Sequence, residues 1–295
     1  MAQRNLEWQS KLVLLVVVPY TATSVVLQAR EWALNAPPVT IWVLGLSLLL
    51  GVAAFKTRSA TPPAAATGAV INASLMFSTV VFPYHPWQTA LMPVLAVLVL
   101  TSLATRFGRH RKERLGTAEK RLGRGAAQVA ANLGMAALLF EPAIRSWVTD
   151  APWVSRGNVV AAIPAFSVGL AALAEAAADT ISSELGQVLG GAPRMITTLR
   201  LVEAGTDGAI SFAGSLAGVI AAGLVACAGT WALQGNLAML MASWAGGVFG
   251  LLFDSWLGAT LERRGWLNND GVNFLSTGSA AAFTLGLLMV MAYPR

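Results

Sequence analysis

Three acidic residues lie near the ends of apolar runs, where the sequence becomes polar. Glu175 and Asp179 lie near the end of one apolar run, and Asp254 lies at the end of another. Because residues four apart share one face of an α-helix, Glu175, Asp179 and Ser183 are predicted to line up. Ionisable groups in apolar helices are costly, and they are commonly functional or paired. If both helices end on the same side, their carboxylates can meet, and paired carboxylates suit Mg²⁺.

The polar segment between two later apolar runs carries groups that could bind phosphate. It offers two guanidinium groups, two hydroxyl groups, and a glycine that lets backbone N–H groups approach closely. These residues are Arg194, Arg200, Thr197, Thr198 and Gly205. Each is also an ordinary surface or turn residue, and the acids could simply neutralise the arginines in structural ion pairs. The sequence contains no P-loop or Rossmann glycine motif, so those nucleotide-binding folds lack support.

Amide side chains provide two further candidate groups. Asn269, Asp270 and Asn273 directly precede the last apolar run, where they could cap a helix or recognise a base or ribose. Gln128 and Asn132 lie one helical turn apart in another run. For this second pair, a buried hydrogen bond between helices is the alternative explanation.

Composition predicts an all-α, polytopic transmembrane helix bundle. The 295 residues are 56% apolar and 12% charged, whereas soluble proteins carry roughly a quarter charged residues. Because a span needs roughly 20 apolar residues, we expect about nine spans in one membrane domain. The predicted spans are 12–28, 39–55, 64–82, 87–105, 125–140, 159–178, 211–233, 237–257 and 276–293.

The net charge of +6 is distributed as membrane topology requires. With the N-terminus in the cytoplasm and the C-terminus outside, all but four of the basic residues fall on the cytoplasmic side, as the positive-inside rule demands. The exceptions are Arg30, Arg145, Arg156 and Arg295. This distribution predicts a bacterial-type inner membrane protein with its polar motif loops in the cytoplasm. It also argues against nucleic acid as a partner, and it makes the basic segment 106–124 a solvated loop.

Several of these residues recur in motifs of a known family. The motifs are Arg124-Gly125-x-x-Gln128-Val129-x-Ala131-Asn132, Ala178-Asp179-Thr180-x-x-Ser183-Glu184-x-Gly186, Pro193-Arg194-x-Ile196-Thr197-Thr198, Val202-x-x-Gly205-Thr206, Asp254-Ser255-x-Leu257-Gly258-Ala259-Thr260 and Asn269-Asp270-x-Val272-Asn273. In these motifs the sequence resembles the integral membrane family called domain of unknown function 92, which includes plant phytyl-phosphate kinase. The resemblance covers 106–295, a core of about five spans, and leaves the four-span region 1–105 outside.

The resemblance implies a kinase that converts an isoprenoid monophosphate to its diphosphate with CTP, GTP or another nucleoside triphosphate. On this hypothesis Asp179, Glu184 and Asp254 hold Mg²⁺. Arg194, Thr197, Thr198, Arg200, Gly205, Asn269, Asp270 and Asn273 then bind phosphate and nucleotide, with Gln128, Asn132, Glu175 and Ser183 in support. Ile181 replaces an aromatic residue of the family pattern, and Arg200 replaces a lysine. These departures leave the nucleotide and the lipid open.

Two other functions are compatible with the same residues. A lipid-phosphate cytidylyltransferase would use the same acids and bases and would release pyrophosphate. An ion-coupled transporter would use Glu175, Asp179 and Asp254 to carry ions or protons, although the polar groups gather at one membrane face rather than at mid-membrane. The bilayer, an isoprenoid phosphate and a nucleotide are the expected partners, and the oligomeric state stays open.

Overall fold

The computed structural model describes residues 6–118, 123–150 and 164–292. These residues form eleven α-helices and one small antiparallel sheet. The helices are α1 Glu7–Asn35, α2 Pro37–Lys56, α3 Pro62–Phe77, α4 Leu91–Arg106, α5 Arg109–Leu115, α6 Ala126–Phe140, α7 Pro142–Asp150, α8 Pro164–Leu189, α9 Phe212–Ala232, α10 Leu237–Leu257 and α11 Asn269–Ala292. The strands are β1 Arg194–Met195 and β2 Ala209–Ile210.

The predicted all-α membrane bundle is confirmed, but the count of nine spans is not. Five described helices are long and apolar enough to cross a membrane, namely α1, α2, α9, α10 with its continuation to Glu262, and α11. The pair α4 and α5, bent by 66°, would make a sixth. Helices α3, α4 and α6 contain 16, 16 and 15 residues, which is shorter than the roughly 20 residues that a span requires.

Parts of the sequence-based predictions fall outside the described residues. They are 119–122 of the basic loop, 159–163 of the sixth predicted span, 293 at the end of the last span, and two of the four basic residues predicted to lie outside, Arg156 and Arg295.

Helix α8 occupies the centre of the bundle and packs against α4, α6, α9, α10 and α11. Its middle turns are rich in alanine and fully buried, so neighbouring helices approach closely. Glycines on the neighbours make this approach possible. A Cβ atom added to Gly218 of α9 would lie 2.9 Å from the carbonyl oxygen of Ala178, and one added to Gly250 of α10 would lie 2.5 Å from Cγ of Glu175. Small residues at helix contacts are typical of membrane bundles.

The segment between α8 and α9 is a compact loop rather than an open linker. Strand β1 pairs with β2, with Arg194 opposite Ile210 and Met195 opposite Ala209. A single turn of π-helix, Gly258–Glu262, continues α10. Gly208, whose φ is 75°, lies so close to Ala259 in this turn that a side chain there would collide with its backbone. The loop is therefore seated directly on the end of α10.

Candidate functional site

Three carboxyl groups meet where α8, α10 and α11 come together, and we call Glu175, Asp179 and Asp254 the carboxylate cluster. The side chains of Asp179 and Asp254 lie close enough to interact with each other, and Ser183 lies within hydrogen-bonding reach of Asp179. The hydroxyl group of Ser276 lies within hydrogen-bonding reach of Glu175 and of Asp254. Two helices thus bring their acids together, an arrangement that the sequence made conditional on both helices ending on the same side.

The carboxylate cluster must hold a proton or a cation. An ionised carboxylate only accepts hydrogen bonds, so Asp179 and Asp254 share one only if one of them is protonated. Ionised acids at this distance also repel each other strongly. Two of the oxygen atoms, Oε1 of Glu175 and Oδ2 of Asp254, are buried and have no hydrogen-bond partner among the described residues. Buried carboxylate oxygens without a partner are costly, so a bound proton or cation would stabilise the carboxylate cluster.

Local sequence explains how the carboxylate cluster is built. Glu175, Asp179 and Ser183 recur every four residues and therefore share one face of α8. On α10, Gly247 and Gly250 remove the side chains that would otherwise hold α8 away: added Cβ atoms would lie 2.8 Å from Cβ of Ala174 and 2.5 Å from Cγ of Glu175, respectively. The close approach of α8 and α10 buries Glu175 and brings it next to the partly buried Asp179 and Asp254.

Further charges surround the carboxylate cluster on its polar side. The guanidinium group of Arg124 interacts electrostatically with Asp179. Glu262, in the π-helical turn, interacts with Asp179 and with Asp207 of the loop. Partial burial raises the pKa of Asp207, while the nearby Arg263 guanidinium opposes that rise. The acids therefore outnumber the arginines near the site, which favours the binding of cations.

Glu184 forms an ion pair with Lys112 that accounts for its position without a metal ion. The Lys112 ammonium group donates to Oε2 of Glu184 at 2.5 Å, and it also donates to the carbonyl oxygens of Ala104 and Thr105, each at 2.9 Å. Lys112 is only 1% exposed, so the pair is buried and the ammonium group is fully hydrogen-bonded. Glu184 thus anchors α5 to α8. This structural role is an alternative to its predicted role as a metal ligand.

The predicted phosphate ligands lie in the loop between α8 and α9, and most of them are exposed. Arg194 donates from Nη1 to the carbonyl oxygen of Leu199 at 2.8 Å. Thr197, Thr198 and Arg200 are also exposed. The described hydrogen bonds of these side chains stay within the loop, so the structure does not bring them to the carboxylate cluster.

Gly205 also has a structural explanation. Its φ is 89°, which other residues rarely adopt. A Cβ atom added there would lie 2.5 Å from Cγ2 of Thr117, and the hydroxyl group of Thr117 donates to Oε1 of Gln187 at 2.6 Å. Gly205 therefore lets the loop contact the segment that follows α5.

The amide-rich segment before α11 holds the start of α1. Oδ1 of Asn268 accepts from the N–H group of Gly271 at 2.8 Å, so Asn268 caps α11. Oδ2 of Asp270 accepts from the Ser10 hydroxyl group at 2.6 Å, and Nδ2 of Asn268 donates to the same hydroxyl oxygen at 2.9 Å. This geometry favours helix capping and docking of α1. The predicted nucleotide contacts of the exposed Asn269 and the buried Asn273 stay predictions.

The remaining predicted side chains lie on α6. Asn132 is buried and borders a cavity between α6 and the N-terminal helices. Gln128 lies one turn earlier on the same helix and is partly buried.

No three Asp, Glu, His or Cys side chains in the described parts of the chain are already arranged around a metal position. The predicted set of Asp179, Glu184 and Asp254 therefore stays a prediction. Mg²⁺ does not require three protein ligands, because it commonly takes one or two carboxylates and completes its shell with water and phosphate.

Sequence reasoning did not assign a role to four residues that the structure places at or near the site. Ser276 lies within reach of Glu175 and Asp254, and its hydroxyl group donates to the carbonyl oxygen of Asn273 at 3.0 Å. Glu262 lies two helical turns after Asp254, so continuation of α10 past Leu257 would have indicated it. Arg124 opens one of the motifs, yet nothing in its spacing placed it beside Asp179. Lys112 is one base among many in segment 106–124, and no sequence signal marks it as buried.

Comparison with known proteins identifies the family. The family model for the integral membrane protein DUF92 matches residues 45–281, which begins within α2 and includes α3 and α4. An uncharacterised membrane protein of Methanocaldococcus jannaschii is 46% identical over 108 residues, which make up 37% of this chain and 45% of that protein. The archaeal protein is therefore matched over less than half of its length.

Two longer matches come from photosynthetic organisms. An uncharacterised membrane protein of Synechocystis is 33% identical over 209 residues, covering 68% of this chain and 74% of that protein. The chloroplastic protein VTE6 of Arabidopsis thaliana is 29% identical over 209 residues, covering 65% of this chain and 57% of that protein. No solved structure matches the chain. Because the family model covers most of its length, this chain belongs to the DUF92 family of integral membrane proteins.

Proposed function

We propose that this protein is a nucleotide-dependent kinase of an isoprenoid monophosphate, with the carboxylate cluster at its active site. The observation that carries the proposal is the direct contact of Asp179 with Asp254, in a setting where Arg124 interacts with Asp179. Acids that hold a cation, next to an arginine that binds phosphate, are what phosphoryl transfer requires. The resemblance to the family that includes plant phytyl-phosphate kinase supports the same chemistry.

The carboxylate cluster suits a hard cation such as Mg²⁺. Its donors are hard carboxylate and hydroxyl oxygens, and the buried oxygen atoms Oε1 of Glu175 and Oδ2 of Asp254 await a partner. We assign the metal to Asp179 and Asp254, because Glu184 already forms an ion pair with Lys112. Mg²⁺ bound with a nucleotide neutralises the negative charge of its phosphates.

The remaining residues position the reactants. In the reaction, an oxygen of the isoprenoid monophosphate attacks the terminal phosphorus of the nucleotide. The bond from that phosphorus to the bridging oxygen breaks, and a nucleoside diphosphate leaves with the electron pair. Arg124 is placed to neutralise the phosphate of the acceptor, since its guanidinium group offers several donors in one plane. Because the acceptor already carries a phosphate, positioning and charge neutralisation supply most of the catalysis.

The proposal places the site at the cytoplasmic face of a bacterial-type inner membrane, where nucleotides are available. It is supported by the distribution of the basic residues. The isoprenoid tail then lies among the helices while its phosphate reaches the polar boundary.

An assay of the purified protein tests this function. Geranylgeranyl or phytyl monophosphate is supplied with Mg²⁺ and with CTP, GTP or ATP, each labelled on the terminal phosphate or on the base. The expected result is a Mg²⁺-dependent lipid diphosphate with release of a nucleoside diphosphate. Release of pyrophosphate and a nucleotide-linked lipid would instead identify a cytidylyltransferase. Absence of product with every lipid and nucleotide pair would refute the kinase.

One observation keeps an ion-coupled transporter as a second candidate. Glu175 is 1% exposed and lies one helical turn before Asp179, with Oε1 unpartnered, as in residues that carry protons through membranes. A transporter predicts proton flux into liposomes without added nucleotide, and that flux would be lost in Glu175→Gln. The kinase predicts no such flux.

A further inference from the structure

A cavity of about 550 Å³ lies between α8 and the helices of the N-terminal half. Helices α2, α3, α4 and α6 form most of it, and Ala176 of α8 closes one wall. We call it the N-terminal cavity. Its volume falls in the range of sites that bind small organic molecules. Residues 1–105, to which the sequence assigned no role, supply most of its lining.

The two ends of the N-terminal cavity differ in chemistry. One part is lined by apolar side chains such as Val94, Val97 and Leu133. The other part is lined by Arg58, Arg106, Arg109 and Arg124, with Glu113 as its one acid. Arg109 is paired with Glu113 at 3.0 Å, and Arg58, Arg106 and Arg124 add further positive charge to this end. An apolar wall that ends in arginines is complementary to an anionic amphiphile.

The backbone holds the arginine end in place. Arg58 adopts a φ of 56°, a conformation that is uncommon and costly for a residue other than glycine. The segment around Arg124 is locked against the loop after α2, since the N–H group of Arg124 donates to the Ser59 carbonyl oxygen at 3.1 Å and that of Thr61 donates to the Arg124 carbonyl oxygen at 3.0 Å. This pairing sets Arg58 and Arg124 at the same end of the cavity.

Arg124 also connects the N-terminal cavity to the carboxylate cluster. Its side chain lines the cavity and interacts with Asp179. Ala176, which lines the cavity, directly follows Glu175 in α8. An anionic head group at the arginine end therefore lies on the side of the cavity nearest the carboxylate cluster.

From these observations we propose that the N-terminal cavity binds the acceptor, with the isoprenoid chain against the apolar wall and the monophosphate at Arg58, Arg106 and Arg124. This inference rests on the proposed kinase function and gives residues 1–105 a share in substrate binding. Inorganic phosphate and the phospholipids of the bilayer present the same head-group chemistry. The occupant assigned here is the single-chain isoprenoid monophosphate, because it matches both ends of one cavity of this volume.

Binding of geranylgeranyl monophosphate, measured without nucleotide, tests the inference independently of turnover. We expect saturable binding by the purified protein, with little competition from inorganic phosphate, geranylgeraniol or phosphatidylglycerol. Equal competition by phosphatidylglycerol would show a site for bilayer lipid, and equal competition by phosphate would show a simple anion site. Either result would overturn the assignment.

Matched variants locate the site. Gly68 faces the cavity, and a Cβ atom there would meet only Cγ1 of Val129, at 3.7 Å, so Gly68→Phe should fill the cavity and weaken binding at least tenfold. Gly45→Phe is the control, because nothing lies within 4 Å of a Cβ atom at Gly45 of α2. Arg58→Gln and Arg124→Gln should each weaken binding by roughly tenfold or more. Arg30→Gln, on the exposed surface of α1, should not.

Photolabelling of the wild-type protein provides a readout that needs no variant. A geranylgeranyl monophosphate that carries a diazirine at the tail end should label peptides from α3 and α4. Labelling confined to α9–α11, or unchanged binding in Gly68→Phe, would contradict the inference even if the kinase assay succeeds. Conversely, labelling of α3 and α4 by a protein that turns over no nucleotide would support this site and refute the proposed kinase.

Discussion

The two sides of α8 are built in opposite ways. Towards α10 and α11, glycines bring the helices so close that the buried Glu175 lies beside the partly buried Asp179 and Asp254. Towards α2–α4 and α6, the helices leave a cavity of about 550 Å³ that ends in arginines. The first side concentrates negative charge in a tightly packed contact, and the second combines apolar space with positive charge. The two sides of α8 thus differ in charge: one presents a cluster suited to a cation and the other a cavity suited to an anionic amphiphile, and Arg124 lies next to both.

The largest effect should come from removal of one acid of the pair. Asp254→Asn preserves size and removes the charge, so we expect kinase activity to fall by about 10²- to 10³-fold, as for other groups that act on transition-state charge. Glu203→Gln is the control, because Glu203 is exposed in the loop after β1. The measurement is the initial rate of lipid diphosphate formation at saturating nucleotide. Full activity in Asp254→Asn would show that the carboxylate cluster is not required for catalysis.

The second prediction separates a structural acid from a catalytic one. Lys112→Met leaves Glu184 without its partner, and loss of one member of a buried ion pair costs roughly 3 to 5 kcal/mol. We expect a clearly lower melting temperature in detergent. The double variant Lys112→Met with Glu184→Leu should recover most of that loss, because no unpaired charge remains.

Activity gives a separate check on Glu184. If this residue only anchors α5 to α8, the double variant keeps the Mg²⁺ dependence of the wild type below its melting temperature. If the double variant instead needs a much higher Mg²⁺ concentration for activity, Glu184 is a metal ligand after all.

The sequence predicted one side of α8 much better than the other. The membrane bundle followed from composition, and the alignment of Glu175 with Asp179 followed from the helical period, which is a local property. Meeting of Asp254 with Asp179 required only that two helices end on the same side. The N-terminal cavity has no local signature, because it exists only after six helices, α2–α6 and α8, have packed.

The polar loops were harder to predict for a related reason. Arg194 and Arg124 both lie in polar motifs, and the sequence alone does not show that Arg194 is exposed whereas Arg124 lies near Asp179. Only the tertiary contacts distinguish them. The same holds for Lys112, which lies in a basic segment predicted to be solvated and yet is 1% exposed. Burial of single charged residues depends on partners far away in sequence, here Glu184.

The third prediction concerns the glycines on the tightly packed side. In Gly250→Ala the new Cβ atom would lie 2.5 Å from Cγ of Glu175 and 2.7 Å from Cβ of Ala280. Overpacking of this kind costs about 1 to 3 kcal/mol, so both the melting temperature and the activity should fall. Gly286→Ala in α11 is the control, because nothing lies within 4 Å of its added Cβ atom. Equal melting temperatures for the two variants would show that the close contact is not required.

The smallest effect should come from Tyr84, whose buried hydroxyl group lies outside both the carboxylate cluster and the N-terminal cavity. Burial raises the pKa of Tyr84 to about 12, and its hydroxyl group has no partner among the described residues. The folded state thus disfavours the tyrosinate, and stability should fall as the pH rises from about 10, the ordinary tyrosine value, through the folded-state pKa. Tyr84→Phe should change the melting temperature little at pH 7 and should reduce its fall at alkaline pH. Identical alkaline profiles would contradict the assignment.

The most direct test of the central claim is a double-mutant cycle on Asp179 and Asp254. Initial rates of lipid diphosphate formation are compared for Asp179→Asn, Asp254→Asn, the double variant and the wild type. If the two acids act as one unit, each single change costs nearly the full activity and the double change costs little more. If the losses multiply, or if either single variant is fully active, the two carboxylates do not form one catalytic site.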